Sequence, residues 1–99
     1  MEFRIIKSPT QGTIDIIQRR KGSKIDLNEE KFDAVALVQG KLIDMIFACD
    51  RAEKSAGVMV EELRGSCPQN MIAIAIFGDT ASVENALEKI YDLSLEKKR

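Results

Sequence analysis

One polar segment of this sequence holds residue types that could do chemistry: Arg64-Gly65-Ser66-Cys67-Pro68-Gln69-Asn70. Cys67 has a glycine two residues before it, a serine beside it and a proline after it. No apolar periodicity surrounds it in which it would be buried. Gly65 lets backbone approach closely, while Pro68 removes one amide and stiffens the turn. A thiol held there is presented rather than packed away. Cysteine followed by proline also closes ferredoxin-type iron–sulfur runs. One loop cysteine is too few for a cluster or a structural zinc site, which take about four ligands. Cyclic symmetry removes that obstacle, because a ring brings one copy per subunit to its axis. The alternative is an exposed, inert thiol.

The other reactive residue types read more plainly. Cys49 sits between Ile46 and Ala52 on an apolar helical stripe, where a thiol behaves as a small hydrophobe. Glu61 and Glu62 are neighbours in a strand pattern, so their carboxylates point to opposite faces and cannot act as a dyad. Gly78-Asp79-Thr80 lacks the glycine spacing and the lysine of a phosphate loop. Gln39-Gly40-Lys41 places a lysine at a strand-to-helix joint, a position suited to a subunit border. Arg19-Arg20-Lys21-Gly22-Ser23-Lys24 reads as a solvated loop, with a basic anion site as the sharper alternative.

Composition narrows the function classes. The chain has no histidine, so the commonest general base and the commonest zinc ligand are both absent. A Ser-His or Cys-His pair within one chain is excluded. With 15 basic and 16 acidic residues the net charge is -1, which argues against a nucleic-acid partner. No apolar run approaches the roughly 20 residues that span a bilayer, and Met1-Glu2-Phe3-Arg4 does not open an export signal. Two cysteines in an unexported chain are expected as reduced thiols. Ninety-nine residues make one small domain, for which oligomerisation is an effective stabiliser.

The elements that must position the Cys67 loop follow from pattern. Phe3-Arg4-Ile5-Ile6 reads as a short strand ended by Ser8-Pro9-Thr10-Gln11-Gly12. Thr13 to Gln18 is dense in β-branched residues and reads as a strand with Ile14 and Ile16 on one face. Asp26 to Lys31 has room for one helical turn at most. Phe32 to Val38 reads as a strand buried on both faces. Lys41 to Ala56 carries Leu42, Met45, Ile46, Cys49, Ala52 and Ala56 at helical spacing, and Gly57 ends that helix. Val58 to Leu63 and the continuous apolar run Met71 to Phe77 are strands on either side of the loop. A last helix opens at Asp79 or Thr80, with Val83, Ala86, Leu87 and Ile90 inward. These elements predict an α/β (α+β) fold, a mixed or antiparallel sheet with two main helices on one face. A partner subunit is the expected cover for the other face.

The stretches Val38-Gln39-Gly40-Lys41, Ala48 to Val58, and Ile76-Phe77-Gly78-Asp79-Thr80-Ala81-Ser82-Val83-Glu84-Asn85-Ala86-Leu87 resemble a bacterial microcompartment (BMC) shell domain. The resemblance implies the ferredoxin-like-related BMC fold. With Thr13 to Gln18 read as a strand moved to the front, the chain resembles the circularly permuted kind, as in PduU and EutS. The whole chain, 1–99, is then one permuted domain: an N-terminal strand and turn (1–12), a core (13–95) and a tail (96–99). In that kind, Phe3, Arg4, Ile5 and Ile6 would form one strand of a small barrel above the central axis.

The resemblance also implies a function. Such proteins are structural, not enzymes. They form homohexamers that tile with other shell proteins into the shell of a compartment in the cytoplasm. The loop holding Gly65, Ser66, Cys67, Pro68, Gln69 and Asn70 would line the pore, and Lys41 would lie at the hexamer edge. A pore cysteine before proline is similar to the shell proteins of glycyl-radical-enzyme compartments, of the GrpU kind. It implies Cys67 as the ligand of an iron–sulfur cluster, 4Fe–4S, shared between subunits, for electron transfer or cluster delivery. A luminal glycyl radical enzyme or redox protein would be the partner. The alternative within the same resemblance is a plain shell hexamer whose loop gates small polar metabolites.

Overall fold

The continuous apolar run Met71–Gly78 (β4) forms a strand in the middle of a four-stranded sheet, order β1-β2-β4-β3. The computed structural model describes residues 1–65 and 71–97, with side chains through residue 91. Its other strands are Glu2–Lys7 (β1), Ala34–Lys41 (β2) and Val58–Leu63 (β3). Every pairing is antiparallel, one of the two sheet kinds, mixed or antiparallel, that were expected. The cause lies in the neighbours: β4 is hydrogen-bonded to β2 and β3, both of which run against it.

Phe3, Arg4, Ile5 and Ile6 do not form a separate barrel strand. They lie within β1, an edge strand of an open sheet, opposite Val38, Leu37, Ala36 and Val35 of β2. Alternation explains the placement: Ile5 packs into the core on one side of the sheet and Ile6 into the core on the other. A barrel strand over an axis would leave both of these side chains without that cover.

The second correction concerns Thr13 to Gln18, which is helix rather than strand. It lies inside Gln11–Arg20 (α1), started by Thr10, whose hydroxyl oxygen accepts the Thr13 N–H. Ile17 is buried and Ile14 packs beside it, three residues apart on one helical face, whereas Ile16 points to solvent. The displaced strand that supported a circular permutation is therefore absent, and the described residues form three α-helices instead of two.

Both faces of the sheet are covered by the chain itself. Leu42–Glu53 (α2) and Thr80–Lys97 (α3) cover one face, where Met45, Ala48, Ala52, Val83, Ala86 and Ile90 meet Ala36, Val38, Ile74 and Ile76. The opposite face, expected to need a partner, carries Val35, Ala75 and Phe77 under Ile17 of α1 and Leu27 of a single 3-10 turn, Leu27–Glu29. Gln18 seats that turn: its carbonyl accepts the Leu27 N–H at 2.8 Å and its amide donates to the Ile25 carbonyl at 3.3 Å. Full burial of Leu27 contributes about 2 kcal/mol. On α2 the inward stripe is Met45, Ala48 and Ala52, while Leu42 and Ile46, expected inside, face outward, and Ala56, also expected inside, is exposed beyond the helix end.

Candidate functional site: the β3–β4 connection and the surfaces around it

The connection from Arg64 to Asn70 joins two antiparallel neighbours, whose last paired residues are Leu63 and Ala73. Ser66, Cys67, Pro68, Gln69 and Asn70 lie outside the described residues. Arg64 and Gly65 form its described foot, and among the described residues nothing lies within 4 Å of where a Gly65 β-carbon would stand.

That foot is held by the segment whose pattern reads as a solvated loop. Lys21 forms an isolated antiparallel bridge with Leu63. One residue along, the Arg64 N–H donates to the Arg20 carbonyl at 2.7 Å, and Arg20 Nη1 donates back to the Arg64 carbonyl at 3.3 Å. The Arg64 guanidinium lies over Gly22, where a β-carbon would stand 3.3 Å from its terminal nitrogen. A larger residue there would push the flexible Arg64 tip aside by a few tenths of an ångström.

Beneath the clasp runs a buried polar chain. Lys21 is 6% and Glu61 7% exposed. Lys21 Nζ donates to the Ser23 carbonyl at 2.8 Å and to its hydroxyl at 3.1 Å, and that hydroxyl donates to Glu61 Oε2 at 2.7 Å. Buried charges are tolerated when hydrogen bonds take up their donors and lone pairs, as Ser23 does here. Glu62 faces the other side of the sheet, toward α2, so the two carboxylates diverge as the strand pattern predicts. No sequence signal pointed to Ser23; its partner is 38 positions away.

Cys49 is half-buried on α2, its thiol donating to Glu53 Oε1 at 3.6 Å. Burial pushes the thiol up from its ordinary value, and the Glu53 carboxylate adds to the effect. Among the described residues no group of three His, Cys, Asp or Glu side chains could hold a metal ion. The described residues of one chain thus provide no ligand set for a cluster to complete.

Lys41 is exposed at the end of β2, paired with Met71, directly before α2. Next to it, Ile43 is 72% and Ile46 61% exposed, beside Leu42. Leu42 and Ile46 rim a groove of about 500 Å³ between α2 and the β3 edge, floored by Ile72 and Ile74, while Ile43 stands outside it. A second apolar groove, about 430 Å³, lies between β1 and α3, lined by Met1, Phe3, Leu87 and Tyr91. Phe3 and Tyr91 meet edge to face there, ring centroids 6.1 Å apart. The pattern of the sequence had assigned Leu42 and Ile46 to the core, so this surface was missed. No described helix is long and apolar enough to cross a membrane.

The model of the BMC domain matches residues 34–98. Among solved structures, the ligand-free GrpU microcompartment shell protein from Clostridiales bacterium 1_7_47FAA is 53% identical, with a TM-score of 0.71, over 92% of this chain and 88% of that one. The ligand-free GrpU microcompartment shell protein from Pectobacterium wasabiae is 36% identical, with a TM-score of 0.73, over 91% of this chain and 99% of that one. No curated protein matches.

Proposed function

Because this chain belongs to the BMC-domain family, we propose that it is a structural subunit of a microcompartment shell whose copies close into a cyclic hexamer around the 64–70 connection. Hexamers then tile with other shell proteins, with Lys41 at the tile edge. The observation that carries the reading is the pair of unlike apolar surfaces. One lies beside β1 and the other beside β3, the two edge strands of the sheet. Surfaces of different make-up at opposite edges suit head-to-tail contact, which closes into a ring when the rotation permits. Exposed isoleucines of this extent mark a contact surface on a small domain.

The test is solution mass by light scattering, for the wild type and for Ile43→Glu combined with Ile46→Glu. A wild-type hexamer that falls to monomers with unchanged circular dichroism supports the reading. A wild type that is monomeric or dimeric, or a variant that stays hexameric, overturns it.

For the loop we favour gating of small polar metabolites by Ser66, Gln69, Asn70 and the loop amides. Support comes from its uncharged polar composition between Gly65 and Asn70. The second reading, an iron–sulfur cluster on Cys67, is favoured by the Cys67-Pro68 dipeptide. Its ligands would have to come from several subunits. It brings with it a redox partner or a luminal glycyl radical enzyme. Anaerobic reconstitution with iron and sulfide separates the two. Iron at background in an intact hexamer supports the gate. About four irons per hexamer, lost in Cys67→Ser and kept in Cys49→Ser, would establish the cluster.

A further inference from the structure

The groove between α2 and the β3 edge has an apolar floor and an acidic rim. Asp50, Glu53 and Glu62 line it, and among the described residues no lysine or arginine does. Asp50 is paired with Lys54 at 2.8 Å. Glu53 and Glu62 are exposed, and neither is in an ion pair among the described residues. Cys49, in the same groove, registers their field: burial first, then the Glu53, Asp50 and Glu62 carboxylates, push its thiol up. An apolar floor beside such carboxylates fits a segment that offers both an apolar and a cationic part.

The chain contains such a segment. Leu93 and Leu95 are followed by Lys97-Lys98-Arg99. It leaves the domain by the other edge of the sheet: Tyr91 of α3 meets Phe3 of β1, and the helix continues to Lys97. At about 1.5 Å per residue that is about 9 Å further. The strand register puts this exit level with the groove. Phe3 is paired with Val38, Val38 with Ile74 and Ile74 with Glu62, so one row across the sheet runs from the Tyr91 contact to the acidic rim. Exit and groove thus share a face and a height but lie at opposite edges, with α2 and α3 between them. A head-to-tail contact of the β1 edge with the β3 edge of a second copy brings them side by side.

We propose that segment 93–99 of one copy docks in the α2–β3 groove of a second copy, with its cations on Glu53 and Glu62. The docking rests on the head-to-tail reading above and names what fills one of its two surfaces. Because the rim carboxylates are exposed, it makes assembly sensitive to salt.

The experiment mixes unlabelled and isotope-labelled full-length protein, lets the copies exchange, and joins amines to carboxylates with a water-soluble carbodiimide. Peptide masses then show which residues were joined. Links from Lys97 or Lys98 to Glu53 or Glu62, between a labelled and an unlabelled copy, are expected. Links found only within one copy, or none from these lysines to the groove, overturn the proposal. Charge exchange gives a second arm, read as the protein concentration at which the oligomer dissociates. Glu53→Lys with Glu62→Lys, and Lys97→Glu with Lys98→Glu, should each raise it about tenfold. All four together should restore assembly, with circular dichroism unchanged throughout. Losses that simply add in the fourfold variant count against the docking. The two readings fail separately. A hexamer whose assembly ignores both pairs of substitutions sinks the docking and leaves the ring standing. A wild type without a hexamer sinks the ring, and the links between copies alone then decide the docking.

Discussion

Gly78 at the end of β4 is seated against the backbone of Gly57: a β-carbon on Gly78 would stand 2.6 Å from the Gly57 carbonyl oxygen. Gly57 itself turns the chain from α2 into β3 with φ of 77°, and Ser82 closes over it. The contact holds the start of α3 to the β3–β4 pair. A backbone oxygen cannot swing aside, so Gly78→Ala should destabilise the fold by about 1–3 kcal/mol. Urea midpoints measure this. A midpoint equal to the wild type would show that the strands separate freely here.

Asp79 gives the fold an acid-sensitive component. Its Oδ1 accepts the Ser82 N–H at 2.9 Å and its Oδ2 the Ser82 hydroxyl at 2.9 Å, which caps α3. These bonds hold the carboxyl below its ordinary 3.8. A depressed value in the folded protein means a contribution that is full above 3.8 and lost as pH falls through the lower folded value. Asp79→Asn keeps an acceptor but does not titrate. The stability gap between wild type and this variant should narrow with acid over that window, and a gap independent of pH would refute the assignment.

Ser23 connects two buried charged groups. Its removal in Ser23→Ala leaves Glu61 without its donor and Lys21 with a single carbonyl, a loss of about 1–3 kcal/mol. Chemical denaturation reads this directly. Ser23→Thr, which keeps the hydroxyl, should recover most of it. Equal losses in both variants would mean that shape rather than the hydroxyl matters.

Cys49 should react slowly. In a Cys67→Ser background it is the sole thiol, so a disulfide reagent reports on it alone. Its raised value keeps the thiolate scarce near neutral pH, so the folded protein should label more slowly than the urea-unfolded chain. Glu53→Gln should speed labelling by removing the adjacent carboxylate. Equal rates folded and unfolded would contradict the packing of α2.

Much of the sheet and of α2 and α3 was legible in sequence because their patterns are local: β4 is apolar throughout, and Gly57 and Asp79 mark helix boundaries by their own chemistry. The strand expected at Thr13–Gln18 failed because β-branched density outweighed a cap. Thr10 before a helix, with Ile14 and Ile17 three apart, was the better signal. Leu42 and Ile46 match a helical stripe, yet which side of a helix faces the sheet depends on how α2 crosses it. The Arg20–Arg64 clasp was not legible at all, since its residues are 44 positions apart and meet only after α1 packs on the far face. Lys41, by contrast, stands where a strand-to-helix joint was expected, exposed and beside Leu42.

The bridge from Lys21 to Leu63 makes the two margins of the sheet unequal. The β3 margin is partly occupied by the chain's own backbone at Lys21 and Arg20, whereas β1 has β2 as its strand partner on one side and an open ladder on the other. Extended fibres need two open margins per molecule, one to join and one to be joined. Strand-to-strand growth between crowded copies therefore meets an uninterrupted ladder at β1 and an interrupted one at the Leu63 end of β3. The fold is thereby biased against extended pairing of its backbone, and lateral contact is left to side chains.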